Sequence, residues 1–247
     1  MLQRIAICYF VGGHLFLSTT WKTQLKIAVI ALVGYWLAML LIPVPGLGAG
    51  VLEPGKNLAA WIDSLIIPLR MWQGTWDPEG LFSTIPAIVT AITGMLAGHL
   101  IKTDMEIHRK LNYLFFAGLC MVVGGYIWDL FFPMNKNLWT SSYVLFTSGW
   151  AFMSLAACIL IVDVHGYTKI AKFGIVYGSN AISIYVLAGL LPYLLYTVLG
   201  VKGFFFDELV NLGVAPKTAS ALWSVLYVLL LYIPAYIMYK KKIFIKV

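Results

Sequence analysis

The chain is predicted to be an all-α protein, a polytopic membrane helix bundle of about seven transmembrane helices, and three observations predict it. Long apolar stretches recur along its 247 residues, each near the roughly 20 residues that cross a hydrocarbon core about 30 Å thick. Hydrophobic residues make up 61% of the sequence and charged residues 11%, with a mean hydropathy of +0.88, which leaves too little polar surface for a soluble chain of this size. The stretches are also too long and too uniformly apolar for barrel strands. Lipid offers no partner to a free backbone N–H or C=O, so each stretch must be helical.

The expected spans are residues 2–18, 23–42, 81–101, 111–132, 142–162, 173–199 and 219–239. They form a single integral membrane domain over 1–247, with short connections that favour antiparallel neighbours. One connection is long. Residues 43–80 make an outer loop, in which 61–72 is too short to span and carries Trp61 and Trp72 at its ends, the pattern of a segment lying flat at the headgroup layer as a lid or collar. A second interfacial turn is expected around residues 204–212. The string Gly46-Leu47-Gly48-Ala49-Gly50 has no βαβ unit around it and is not read as a nucleotide loop.

Basic residues set the orientation, because basic loops resist translocation. Lys22, Lys26, Lys102, Arg109, Lys110, Lys169, Lys172, Lys240, Lys241, Lys242 and Lys246 fall on one face, against Arg4, Lys56, Arg70, Lys136, Lys202 and Lys217 on the other. The larger set is expected to be cytoplasmic, with the C-terminus. The net charge of +7 is then a topology signal and calls for no nucleic acid. Nothing after Met1 has the pattern of a signal peptide, so the N-terminus is expected outside without a leader. Cys8, Cys120 and Cys158 all fall in spans and read as small apolar fillers.

Small residues mark expected helix contacts: Gly94 with Gly98, and Gly174 with Gly178. Pro86, Pro192 and Pro234 interrupt spans, each freeing the carbonyl four residues earlier, at Phe82, Ala188 and Leu230, for a neighbouring group or a wet cavity to satisfy.

Polar groups within or beside spans are costly and therefore candidates for function. Asp77 and Glu79 precede the third span. Asn135, Lys136, Asn137 and Trp139 fill the loop before the fifth, and the sequence places Asn180 two turns into the sixth. Each also has a structural reading: Asp77 as a helix cap, the asparagines as turn residues, Lys136 snorkelling, and Asn180 bonding between helices. The histidines show no metal-ligand spacing and no Ser/His/Asp series, so no metal is expected.

Taken in order, four strings resemble the heparan-alpha-glucosaminide N-acetyltransferase family and its bacterial relatives: Leu2-Gln3-Arg4-Ile5-Ala6; Trp76-Asp77-Pro78-Glu79-Gly80-Leu81 with Ser83-Thr84-Ile85-Pro86-Ala87-Ile88; Asn135-Lys136-Asn137-Leu138-Trp139-Thr140-Ser141-Ser142-Tyr143; and Gly178-Ser179-Asn180-Ala181-Ile182. The resemblance implies a membrane acyltransferase, in a bacterial inner (plasma) membrane, that takes acetyl from cytosolic acetyl-CoA and passes it to an amino sugar or glycan on the outer side. It implies that Asp77 and Glu79 bind the amine, that Asn135, Asn137 and Asn180 donate to the oxyanion, and that Lys136 contacts an anion, with Trp139 beside them. The family's catalytic histidine sits on a helix before the Leu-Gln-Arg string, which here starts at residue 2. The catalytic residue is therefore expected upstream of Met1, and the isolated chain is expected to be inactive. A shortened reading frame, a separate polypeptide or homo-oligomer supplying the missing helices, and loss of catalysis stay open. So do two other classes: a transporter or flippase of a glycan or lipid precursor, and a non-catalytic remnant.

Overall fold

The computed structural model describes residues 2–66, 71–198 and 200–245, the side chains of 170 and 201–205 excepted. Ten α-helices follow one another among them, with no strand. They are α1 (Leu2–Ser18), α2 (Trp21–Leu41), α3 (Leu58–Ile66), α4 (Thr84–Ile101), α5 (Ile107–Asp129), α6 (Ser141–Ile159), α7 (Thr168–Gly178), α8 (Ala181–Pro192), α9 (Val201–Asn211) and α10 (Pro216–Lys240), and wider π-type turns follow α6 and α8. Six helical segments are long and apolar enough to cross a membrane: Trp21–Leu41, Thr84–Ile101, Ile107–Asp129, Ser141–Val164, Ala181–Val198 and Pro216–Lys240. The 17-residue α1 stands at the lower limit for a span. The protein is a multi-pass membrane helix bundle.

The chain folds as two compact units, Met1–Leu160 and Ile161–Val247. In the first, α5 and α6 form the tightest pair, and three glycines are the reason. A Cβ on Gly149 would lie 2.6 Å from the Gly118 carbonyl oxygen, and one on Gly125 would lie 2.8 Å from the Phe146 nitrogen. Only hydrogen fits at such distances, so the backbones meet without side chains between them. By contrast, a Cβ on Gly94, Gly98, Gly174 or Gly178 would meet nothing within 4 Å. The sequence pattern named the wrong glycines because spacing alone does not say which helix face meets a neighbour.

α4 lies at the centre of the first unit, packed by α1, α2 and α6. One apolar cluster joins Ala28, Leu32, Val89, Ile92 and Val144, and Thr93 and Ser148 hydrogen-bond between α4 and α6 at 3.0 Å. A second cluster joins Tyr35, Met39, Val44, Leu58, Ala59, Phe132 and Leu138 at the end that carries the 43–80 and 133–140 loops. The glycines at 46, 48 and 50 adopt positive φ in a turn where the Val44 nitrogen donates to the Gly48 carbonyl. Turn geometry accounts for that string. The expected interfacial segment 61–72 begins in α3, whose Leu58, Ala59, Ala60 and Asp63 are buried while Leu65 and Ile66 are exposed. Its residues 67–70 lie outside the described residues.

Two expectations about helix ends change. The third span begins at Thr84, so Pro86 sits in the first turn, where its missing N–H removes no intrahelical bond. The sixth span is broken: α7 ends at Gly178 and α8 starts at Ala181, with Asn180 between them at φ −137° and ψ 41°.

The second unit packs Val176, Ile184, Leu231 and Ala235 into its own core. Pro192 frees the Ala188 carbonyl, and the Tyr227 hydroxyl from α10 donates to that oxygen at 2.9 Å. A neighbouring helix thus supplies the partner that the proline removes. The turn expected around 204–212 falls largely within α9.

Candidate substrate site at the looped end of the first unit

The site is built around a cation that the sequence offered only as a topology charge. Arg4, one turn into α1, is 7% exposed. Its Nη2 donates to the Gly80 carbonyl at 3.2 Å and to the Ser83 hydroxyl at 2.5 Å. Its Nε and Nη1 are buried without a hydrogen-bond partner among the described residues. A guanidinium taken from water with N–H groups unused is costly, so Arg4 is held for more than packing. The acids nearest in its field are Glu79 and Asp77.

Opposite Arg4, across Gly80, lies Asp63. Its carboxylate is 2% exposed and accepts from the Phe82 nitrogen at 3.0 Å. A Cβ on Gly80 would sit 1.7 Å from Asp63 Oδ2, so the residue there must be glycine. Burial raises the Asp63 carboxyl above its ordinary value of 3.8, and hydrogen bonds from the Phe82 and Leu81 backbone oppose that rise. α3 presents Asp63 because Asn57 caps it: the Ala60 nitrogen donates to Asn57 Oδ1 at 2.9 Å. Gly80 and the first turn of α4 are fixed by the Thr84 hydroxyl, which donates to the Gly80 carbonyl at 2.8 Å.

The other wall is the 133–140 loop. Asn135 Oδ1 accepts from the nitrogens of Asn137 at 2.8 Å and Leu138 at 3.3 Å, which coils the loop on itself. The Asn135 nitrogen donates to the Thr140 hydroxyl at 2.9 Å. Tyr35 donates to the Leu138 carbonyl at 2.7 Å, and Ser141 to the Leu32 carbonyl at 2.7 Å, tying the loop to α2. The result forces Trp139 to φ 52°, a conformation a bulky residue adopts at a cost of order 1–3 kcal/mol. That conformation places the Trp139 ring under the guanidinium, 5.1 Å from the Arg4 Cζ, while its Nε1 donates to the Thr90 hydroxyl at 3.0 Å.

Of the residues singled out in the sequence, Trp139 therefore packs against Arg4, and Asp77 and Glu79 lie within reach of its electrostatic field. Asp77 Oδ1 also accepts from the Glu79 nitrogen at 2.8 Å, shaping its own turn. Asn135 builds the loop, and Lys136 and Asn137 expose their side chains at its tip. Asn180 sits in the second unit, where its Nδ2 donates to the Ile243 carbonyl at 2.9 Å and its Oδ1 accepts from the Ile245 nitrogen at 3.0 Å. Its amide thus pins the segment that follows α10. Arg4 and Asp63 were the residues sequence reasoning passed over. Their signal was a charge at the start of one apolar run and an acid inside another.

No family model matches the chain. Heparan-alpha-glucosaminide N-acetyltransferase of Mus musculus is 30% identical over an alignment covering 94% of this chain and 38% of that protein. The Homo sapiens protein of the same name is 29% identical over 75% of this chain and 36% of its own length. The chain is a relative of heparan-alpha-glucosaminide N-acetyltransferase. It spans little more than a third of the length of either curated heparan-alpha-glucosaminide N-acetyltransferase.

Proposed function

We propose that the chain is part of a membrane acetyltransferase that moves acetyl from cytosolic acetyl-CoA to an amino sugar or glycan on the outer side. The observation that carries this reading is the Arg4 guanidinium on Trp139, with two N–H-bearing nitrogens unpartnered among the described residues, in a chain 30% identical to an N-acetyltransferase. Acetyl transfer needs an acceptor amine held near the thioester, donors for the oxyanion that develops, and exclusion of water. Asp77 and Glu79 draw the acceptor ammonium to this end. The free edge of Arg4 faces the developing oxyanion, where a donor in a water-poor site is worth most. Trp139 stacks on the acceptor ring plane, Lys136 contacts an acidic group of the acceptor at the loop tip, and Asn137 hydrogen-bonds it there. The histidine that takes the ammonium proton is assigned to the part of the relatives that this chain does not span.

The test uses sealed inside-out vesicles from cells carrying the gene in its natural context, with labelled acetyl-CoA outside and glucosamine trapped inside. Label on the trapped amine, lost on Arg4→Gln with the protein still inserted, supports the reading. Passage of unmodified glucosamine without release of free CoA would favour transport instead, and label at the level of vesicles lacking the gene product would favour a non-catalytic remnant.

A further inference from the structure

The first unit contains a second feature, which shares no residue with the Arg4 site: an apolar groove of about 750 Å3 between α2, α4, α5 and α6. On α2 it runs from Trp21 to Leu32, and on α4 from Leu100 to Val89. At 1.5 Å per residue each wall is about 16 Å long, close to half of a hydrocarbon core about 30 Å thick. The groove is therefore one leaflet deep. Its lining is hydrocarbon and aromatic except for Thr93, His99, Thr103 and the Cys120 thiol. Both threonine hydroxyls are spent within the protein, Thr93 on the Thr90 carbonyl and Ser148, and Thr103 on the Leu100 carbonyl. His99 differs. Its ring stacks on Phe16, and its Nε2 is buried with no hydrogen-bond partner among the described residues.

These features select the occupant. A ligand arm carrying amides would leave them unpaired along the apolar walls, which is unfavourable, whereas a saturated chain fits throughout. At the mouth, the Lys22 ammonium lies 5.7 Å over the ring of Trp21, itself part of the lining. Lys102 in the α4–α5 connection and Arg109 and Lys110 in the first turn of α5 lie at the same end, against Asp104 and Glu106, so the mouth is net basic. Lys110 is engaged with the Ile101 carbonyl at 2.9 Å and Arg109 with the Tyr113 hydroxyl at 3.4 Å, which leaves Lys22 and Lys102 as the cations to meet a headgroup.

We propose that this groove is a lipid site that holds one acyl chain of an anionic phospholipid from the leaflet on the Lys22 side. The headgroup phosphate meets Lys22 and Lys102, and the acyl chain lies along the apolar walls of α2 and α4. The proposal stands independently of the acetyl-transfer reading.

Native mass spectrometry of the purified chain, with phosphatidylglycerol or phosphatidylcholine of matched acyl chains, tests it. The wild type should retain one phosphatidylglycerol in preference to phosphatidylcholine. Cys120→Trp, an exposed position on the lining, should lose that retained lipid without loss of helix content. Lys22→Gln should keep a lipid but lose roughly fivefold of the headgroup preference, the scale of one basic residue near an anionic surface. Equal retention of the two lipids by the wild type would overturn the proposal. So would undiminished retention in Cys120→Trp, or displacement of the lipid by a long-chain acyl-CoA at equal concentration.

Discussion

The Trp139 ring lies 5.1 Å beneath the guanidinium of Arg4, and Trp139 holds φ 52° to put it there. A fork of planar N–H groups over a ring is a geometry that lysine does not reproduce. Arg4→Lys is therefore expected to behave like a loss rather than a conservative change, slowing acetyl transfer along with weakening the bonds to Gly80 and Ser83. Trp139→Phe keeps a ring but drops the bond to Thr90, and is expected to cost about 1 kcal/mol of stability. Thermal unfolding in detergent, read beside acetyl transfer in vesicles, separates the two effects.

Asp63 and Gly80 are expected to be coupled. Gly80→Ala drives a methyl into the Asp63 carboxylate and is expected to be among the most destabilising single changes in the first unit, at several kcal/mol. Asp63→Ala in the Gly80→Ala background should recover part of that loss, and a double-mutant cycle measures it. The pH dependence has a defined sign. Because burial holds the Asp63 carboxyl above its ordinary 3.8, its contribution is fully present below that value and is lost as pH rises through the raised folded value. Wild type should thus gain stability relative to Asp63→Asn as pH falls toward 4. A difference between the two that does not change with pH would count against this.

The glycine contacts reverse the sequence expectation in a way that mutation can read. Gly149→Ala forces a Cβ to within 2.6 Å of the Gly118 carbonyl and is expected to cost about 1–3 kcal/mol or more by spreading α5 from α6. Gly94→Ala and Gly98→Ala meet open space inside α4 and are expected to be neutral or stabilising by up to about 1 kcal/mol. SDS titration of the three variants ranks them.

In the second unit, Tyr227→Phe leaves the Ala188 carbonyl that Pro192 frees without the hydroxyl that donates to it, at a cost of about 1–2 kcal/mol. Pro192→Ala allows the helical N–H to return, so the same tyrosine change should cost less in that background. Equal costs in both backgrounds would show that the hydroxyl is not compensating for the proline.

The fold class was legible because bilayer thickness imposes a length on every apolar run, and six segments meet it. The break at Asn180 was not legible: it lies between two long apolar runs, and the partners of its side chain are residues 243 and 245, more than 60 positions away. The site was half legible. Asp77, Glu79 and Trp139 stood out as polar or amphipathic groups beside spans, and the structure puts them near one cation. Arg4 was read as a topology charge and Asp63 was not singled out, because a sequence shows the sign of a charge but not its burial. The glycines of α5 and α6 escaped for a related reason, since their seven-residue spacing from Gly118 to Gly125 gains meaning only when Gly149 is seen against them.

Acetyl transfer to the outer side, as proposed, requires the Arg4–Trp139 end to face away from the cytoplasm, with the end of α10 expected to face into it. Single cysteines at Asn137 and Lys241, in a chain with Cys8, Cys120 and Cys158 replaced, can be challenged in intact cells with a membrane-impermeant maleimide. Labelling at position 137 and protection at 241 until the cells are opened is the expected result. Labelling of both from outside, or of 241 alone, would contradict it.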